Sequence, residues 1–380
     1  MTQNPRRIAA IGLAILLIVG VGYGILSSAR NALGPTPIAL HGLIGSEKEP
    51  FFDDARVQAA LRRGGFNVTV ATAGSRVIAS TDLSKEAFAF PAGIPAGQKI
   101  QRDHAGSKAT YPFYTPMAIA TWKPIVDLLT KAGVVKTSGD LTTLDVAAYM
   151  KLVDANTRWK DLPGNTTYSV NKSILITTTD VRKSNSAAMY LSLTSYVANS
   201  DNIVENGSQV DALMDRLSPL FLRQGFVASS TEEPFEDYLV QGMGKSPMVM
   251  IYESQFIQKA AAADGSITPD MVLMYPDPTI FSKHTFVGLS PDGIRLGDFL
   301  ASDPELRSLA TEYGFRTTDT AAFSKFVTDH KLAVPSGFVN VIDPPTYETL
   351  EAMITRLEAA YQGAGLPSPV LDSPIPSPSQ

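Results

Sequence analysis

The 380-residue chain contains no cysteine. That excludes disulfides, thiolate metal sites, a cysteine nucleophile and lipid attachment through an N-terminal cysteine. Its four histidines, His41, His104, His284 and His330, show no HxxxH or similar ligand spacing, and each reads as a surface or packed residue rather than a metal ligand. Basic clusters are equally scarce. None occurs beyond Arg62–Arg63 and the net charge is −5, so nucleic acid is not an expected partner. No GxSxG elbow offers a seat for a hydrolase serine. The run Gly242-Met243-Gly244-Lys245-Ser246 has the end of a phosphate loop, yet Leu239 stands where that motif requires glycine. Paired carboxylates such as Glu232-Glu233 lie in a charged stretch that reads as solvated. No catalytic residue, metal or cofactor is therefore expected, and the chain reads as a non-enzyme.

What is present points outward from the cell. Arg6 and Arg7 precede nineteen uncharged, mostly apolar residues, Ile8 to Leu26. Basic residues ahead of such a run orient it with its start in the cytoplasm and the rest of the chain outside. Ser27 and Ala29 give the small-x-small pattern of a signal cleavage site, but the run is long enough to span a bilayer. Residues 1–30 are thus a signal anchor or signal peptide. The retained anchor is favoured, which makes the protein single-pass in the cell membrane with an extracytoplasmic body; a cleaved signal would make it secreted.

The body, 44% hydrophobic overall, suits two domains. A strand over 37–44, a helix opened by Pro50 and ended by Gly64-Gly65, and a second strand over 66–71 form the start of an α/β domain with parallel pairing. Phe88–Pro91 reads as a short strand, the polar, glycine-rich stretch to Lys108 as a loop, and 112–122 as extended. Helical patterns cover 123–133, 144–153, 208–217, 233–241, 255–263, 296–313, 320–331 and 347–361, with strands at 247–252, 271–275 and 338–342. From Gly363 the chain is rich in proline and serine and reads as a disordered tail, 363–380.

The centre of the chain, Lys172 to Tyr196, reads KSILITTTDVRKSNSAAMYLSLTSY. A strand at 173–176 is expected to enter a loop of hydroxyls, amides and one arginine that leads into a helix from about Ala187. The first turn of a helix has amides without internal partners and the positive end of the macrodipole, a setting suited to an anionic or strongly polar ligand.

Taken together, the exported start, the opening IALHGLIGSEKEPFFDDARVQAALRRGGFNVTVA, the segment PFYTPMAIATWKPIVDLL, the loop-to-helix TTTDVRKSNSAAMYL, and the strands MVMIYES and MVLMYPDPT resemble bacterial extracellular solute-binding proteins. The resemblance covers about residues 37–362. It implies an α/β, two-lobed type II periplasmic-binding-protein fold with a ligand cleft between lobes, preceded by one N-terminal transmembrane helix. Lobe 1 is expected over 37–121 and 272–362 and lobe 2 over 122–271. The implied function is capture of a small polar or anionic solute for an ABC-type permease. The alternative is a membrane-anchored envelope sensor or scaffold that binds another protein. Implied ligand contacts are Gly45, Ser46, Ser75, Arg76, Thr115, Thr179, Asp180, Arg182, Ser184, Asn185, Ser186, Glu253 and Tyr275. For Arg182 a salt bridge to Asp180 is the competing reading; Glu253 could instead start a helix, Tyr275 could pack, and Ser46 and Ser75 could be turn residues.

Overall fold

The computed structural model describes residues 36–139, 141–225, 227–364 and 375–376. The expected N-terminal anchor lies outside them, and among the described residues no helix is long and apolar enough to cross a membrane. The strands are β1 (Ile38–Ile44), β2 (Phe66–Thr72), β3 (Phe88–Phe90), β4 (Lys108–Thr110), β5 (Tyr114–Trp122), β6 (Val135–Ser138), β7 (Leu141–Asp145), β8 (Met248–Tyr252), β9 (Met271–Asp277), β10 (Thr279–Lys283), β11 (Phe286–Gly288), β12 (Val341–Ile342) and β13 (Ile375–Pro376). The helices are α1 (Glu49–Asp53), α2 (Ala55–Arg63), α3 (Ser75–Ser80), α4 (Ile94–Asp103), α5 (Lys123–Lys131), α6 (Val146–Asp154), α7 (Asn185–Ala198) and α8 (Gly207–Leu222). After them come α9 (Glu232–Gln241), α10 (Glu253–Ala262), α11 (Pro291–Ser302), α12 (Pro304–Glu312), α13 (Thr320–Asp329) and α14 (Tyr347–Gly363).

Two sheets organise these elements. The first runs β13-β2-β1-β3-β11-β4, with β1 parallel to both β2 and β3. The expected β1–helix–β2 unit is present in register, Ile38 opposite Phe66 through Ile44 opposite Thr72. Asp54 breaks its helix in two because its extended backbone caps α2, accepting a hydrogen bond from the Arg56 amide. The second sheet runs β12-β10-β5-β9-β7-β6, with β8 paired to β5. Strand β5 is buried from Thr115 to Thr121, as befits a strand covered on both faces. Helices α7, α8 and α14 cover one face through Leu191, Leu217 and Met353, whereas α9 and α10 cover the other through Tyr238 and Phe256.

Several expectations change. The stretch 91–108 holds α4 rather than only loop: Pro95 opens it, and its buried face is Pro95, Ala96, Gly97 and Ile100. Those small residues give little hydrophobic period, and Gly97 is required because a Cβ there would lie 2.4 Å from the Thr285 methyl. Residues 173–176 form no regular strand; only isolated bridges tie Ser173 to Arg158 and Thr177 to Val249. Strands at 114–122 and 271–277, expected in lobe 1, pair within the second sheet, and α14 packs into the same body through Leu350, Met353, Ile354 and Leu357. The apolar stripe of α14 fits the face left open by α8, which the order of elements along the chain does not reveal. Of the C-terminal tail, Ile375–Pro376 pairs antiparallel with β2, and the rest of 365–380 lies outside the described residues.

The chain passes between the sheets at 110–114, at 283–286 and again at 313–317, where Tyr114 and Arg316 exchange backbone hydrogen bonds of 2.8 and 2.9 Å. Arg316 anchors that third passage. Its Nε and Nη2 donate to Glu253 at 2.7 and 2.9 Å, Tyr275 donates to the same carboxylate at 2.7 Å, and the guanidinium lies 4.3 Å from the Phe323 ring centre. Both charged side chains are buried, at 4% and 0% exposure, so removing either leaves an uncompensated charge. Arg316→Met is expected to lower unfolding free energy by about 3–5 kcal/mol, read by urea denaturation; a change under about 1 kcal/mol would show that the pair does not hold the passage.

Candidate ligand cavity

The loops beyond the carboxyl ends of β1 and β2 meet the loop entering α7, the segment before α9 and the end of β8. This is where open α/β sheets place ligands. The meeting encloses a cavity of about 160 Å³. One wall carries Ser46, Glu47 and Ser75; the other carries Ser184, Asn185, Ser230, Thr231 and Tyr252. The walls touch: Ser46 Oγ lies 3.4 Å from Ser230 Oγ, and a Cβ on Gly74 would sit 2.2 Å from the Lys183 carbonyl oxygen. Only glycine lets β2's outgoing turn reach that backbone.

Hydrogen bonds set which polar atoms remain for a ligand. Ser75 Oγ accepts from the Ala92 amide at 2.9 Å and keeps its own proton to donate. Asn185 donates to Tyr252 at 3.2 Å and to Ser282 at 3.3 Å, which turns its amide oxygen the other way. Ser184 makes no side-chain cap bond, so the first-turn amides of α7 are left to other acceptors. Burial, joined by the nearby Glu47 charge, raises the Tyr252 phenol well above its ordinary range and keeps it neutral.

Beneath the cavity lies a charged cluster. Lys48 is fully buried; its ammonium bonds Glu47, sits 3.1 Å from His284 Nδ1 and lies 4.9 Å over the Phe90 ring. Burial alone would raise the Glu47 carboxyl, but the Lys48 charge against it outweighs that and holds the group well below the carboxylate range. Burial lowers Lys48 from its usual value, and Glu47 opposes that shift. Burial, followed by the Lys48 charge, lowers His284 to about 4. With Lys48 donating to Nδ1, the ring proton sits on Nε2, which has no hydrogen-bond partner among the described residues and lies among the Phe113 and Phe315 rings, centred 5.3 and 5.2 Å from the imidazole. The cavity therefore meets an ionised carboxylate whose charge is balanced from behind.

The expected contacts divide. Gly45, Ser46, Ser75, Ser184 and Asn185 line the cavity. Arg76 does not; it turns to Glu351 at 2.8 Å and to the Arg182 carbonyl at 3.3 Å. Arg182 is a correction of the same kind. Its Nε and Nη2 donate to Asp180 at 2.8 and 2.7 Å, and it lies 4.4 Å over the Tyr361 ring, so the fork is used internally by the carboxylate two residues before it. Thr179 and Ser186 are buried behind the α7 start with hydroxyls 2.9 Å apart. Thr115 is buried in β5, where its hydroxyl accepts from the Ser254 amide at 3.1 Å. Glu253 starts α10 and, with Tyr275, belongs to the Arg316 cluster instead. Sequence reading missed Glu47, Lys48, Ser230, Thr231, Tyr252 and His284. Glu47 and Lys48 follow Ser46 directly and were legible in that turn; His284 had no local signal.

With this geometry in place, comparison with known proteins identifies the fold. No family model matches the sequence, and no curated protein matches it. Solved structures do. The sulfate-binding protein SubI from Mycobacterium tuberculosis H37Rv aligns at a TM-score of 0.50 with 15% identity, covering 82% of this chain and 96% of that one. An ABC transporter structure from Clostridium perfringens aligns at 0.52 with 11% identity, covering 85% and 99%. The chain has the type II periplasmic-binding-protein fold, as its motifs suggested.

The buried histidine has a measurable signature. His284 titrates near 4 in the folded chain against an ordinary 6.5, so within that window the unfolded chain binds the proton and the folded one does not. Stability is full above 6.5 and falls as pH drops toward 4, by about 2.5 kcal/mol over roughly two pH units. Urea unfolding at neutral pH and near 4.5 should show that loss, with a smaller one from Glu47, whose unfolded form begins to take up its proton there, and His284→Asn should abolish most of it. An equal loss in both proteins would refute the assignment.

Proposed function

We propose that this protein is an extracytoplasmic solute receptor that closes two lobes over one small anionic, strongly polar solute and presents it to an ATP-driven permease. The observation that supports this reading is the convergence of Ser46, Ser75, Ser184, Asn185, Ser230 and Thr231 from both walls on a cavity of about 160 Å³. Hydroxyls and first-turn amides are donors suited to an oxyanion, and the volume suits an inorganic anion or a short carboxylate better than a peptide. The Glu47 carboxylate narrows the class. As an acceptor without a proton, it favours a ligand that brings a donor, such as a hydrogen-bearing oxyanion, and repels one that is fully deprotonated. The site is read as one of binding rather than catalysis. Anchoring through residues 8–26 remains part of the proposal.

Calorimetry and thermal unfolding with phosphate, arsenate, sulfate, molybdate, short carboxylates and amino acids test it. A ligand at about a hundred times its Kd should stabilise the fold by about 2.7 kcal/mol. Phosphate-like anions are expected to respond and sulfate not to, with Ser75→Ala weakening binding by roughly tenfold or more. Glu47→Gln should admit sulfate. Arg182→Ala should cost stability while leaving binding by the folded fraction unchanged. No response from any class would overturn solute capture and return attention to a protein-binding scaffold.

A further inference from the structure

Helix α14 belongs to one lobe by its packing and reaches the other mainly through charge, with Tyr347 as its apolar contact on that side. Leu350, Met353, Ile354, Leu357 and Tyr361 are buried in the core of the second-sheet body, and Thr349 bonds the Glu205 carbonyl there at 3.4 Å. Its N-terminal turns face α3 and α4 of the first-sheet body. There Arg76 Nε meets both oxygens of Glu351 at 2.9 and 2.8 Å, Arg102 pairs with Glu348, and Lys99 lies 5.6 Å over the Tyr347 ring. The Arg76–Glu351 pair is about three-quarters shielded, at 26% and 23% side-chain exposure. Arg76 also donates to the Arg182 carbonyl at 3.3 Å, a second tie across the same seam.

This seam is the rear wall of the ligand cavity. A void of about 30 Å³ between α3, α4, α7 and α14 is lined by Glu351 and Arg76 and shares Ser75, Ser184 and Asn185 with the cavity. Arg76 directly follows Ser75, so whatever holds the guanidinium also holds the hydroxyl that faces the ligand. A broad apolar attachment on one side and a mainly ionic one on the other suit a parting surface, because the ionic side can be hydrated while exposing little beyond the Tyr347 ring.

We infer that the N-terminal turns of α14 are an ionic latch, Glu351 on Arg76 and Glu348 on Arg102, that biases the two lobes toward the closed arrangement before any solute binds. Its readout is independent of the ligand reading. The native absence of cysteine permits a spin-label pair at exposed Asn67 and Lys151, one on each lobe, in the full chain. Pulsed dipolar distances without ligand should show one dominant closed population. Glu348→Gln with Glu351→Gln should lower the closed-to-open ratio by roughly fivefold. Salt near 1 M, where the Debye length is about 3 Å, should act in the same direction on the parent. The exchange Arg76→Glu with Glu351→Arg should recover the closed population relative to either single change, which a merely structural role would not produce. Identical distance distributions in the parent and the double glutamine variant, at low and high salt, would overturn the latch.

Discussion

The pairing of Arg316 with Glu253 is the constraint that holds the passage between the two sheets. Glu253 sits where β8 turns into α10, and Arg316 sits where the chain leaves the first-sheet body for the last time. Between them they tie the start of α10 to the third passage, beside the backbone pairing of Arg316 with Tyr114 and the close packing of Gly314 on Ser254. A buried ion pair adds little net stability compared with apolar packing, but it penalises every arrangement in which one partner is missing. Tyr275 and the Phe323 and Phe338 rings complete the cluster by bonding the carboxylate and covering the guanidinium. Specific geometry, more than added stability, is what such a cluster contributes.

The same electrostatic logic shapes the ligand cavity. Glu47 is ionised in a buried position only because Lys48 lies against it, and Lys48 is tolerated in the interior because Glu47, His284 and the Phe90 face receive it. The cluster is nearly neutral as a unit yet presents one anionic edge upward. Donors therefore come from hydroxyls and a helix start instead of from an arginine. The two arginines nearest in sequence to the site, Arg76 and Arg182, are consumed by Glu351 and Asp180 and serve the seam and the loop instead.

Much of the framework was legible in the residues. The alternation and turn signals around Ile38–Ile44 and Phe66–Thr72, the run Met248–Tyr252 and the amphipathic pattern over Tyr347–Tyr361 all carry strong local period, and each became the expected element. The fold class followed from their order. Helix α4 escaped because its buried face is built of proline, alanine and glycine, whose packing value is smallness and not hydrophobicity. The extended segment 173–176 misled in the opposite sense: its apolar residues are buried beside β8 without a continuous ladder. Of the expected contacts, Gly45, Ser46, Ser75, Ser184 and Asn185 line the candidate cavity, because each follows a strand or opens a helix, where backbone geometry brings the chain to the cleft.

By itself the sequence determined the α/β class, most of the periodic elements and the turns that reach the cavity, because these depend on residues within a few positions of one another. Tertiary structure alone decided which polar groups remained for a ligand. Whether Glu253 meets a cation from outside or Arg316 from sixty-three residues away, and whether α14 packs on one sheet or the other, are matters of long-range pairing. A charged or hydrogen-bonding group buried in a fold is claimed by whatever partner the packing brings within reach, and local pattern does not record where that partner comes from.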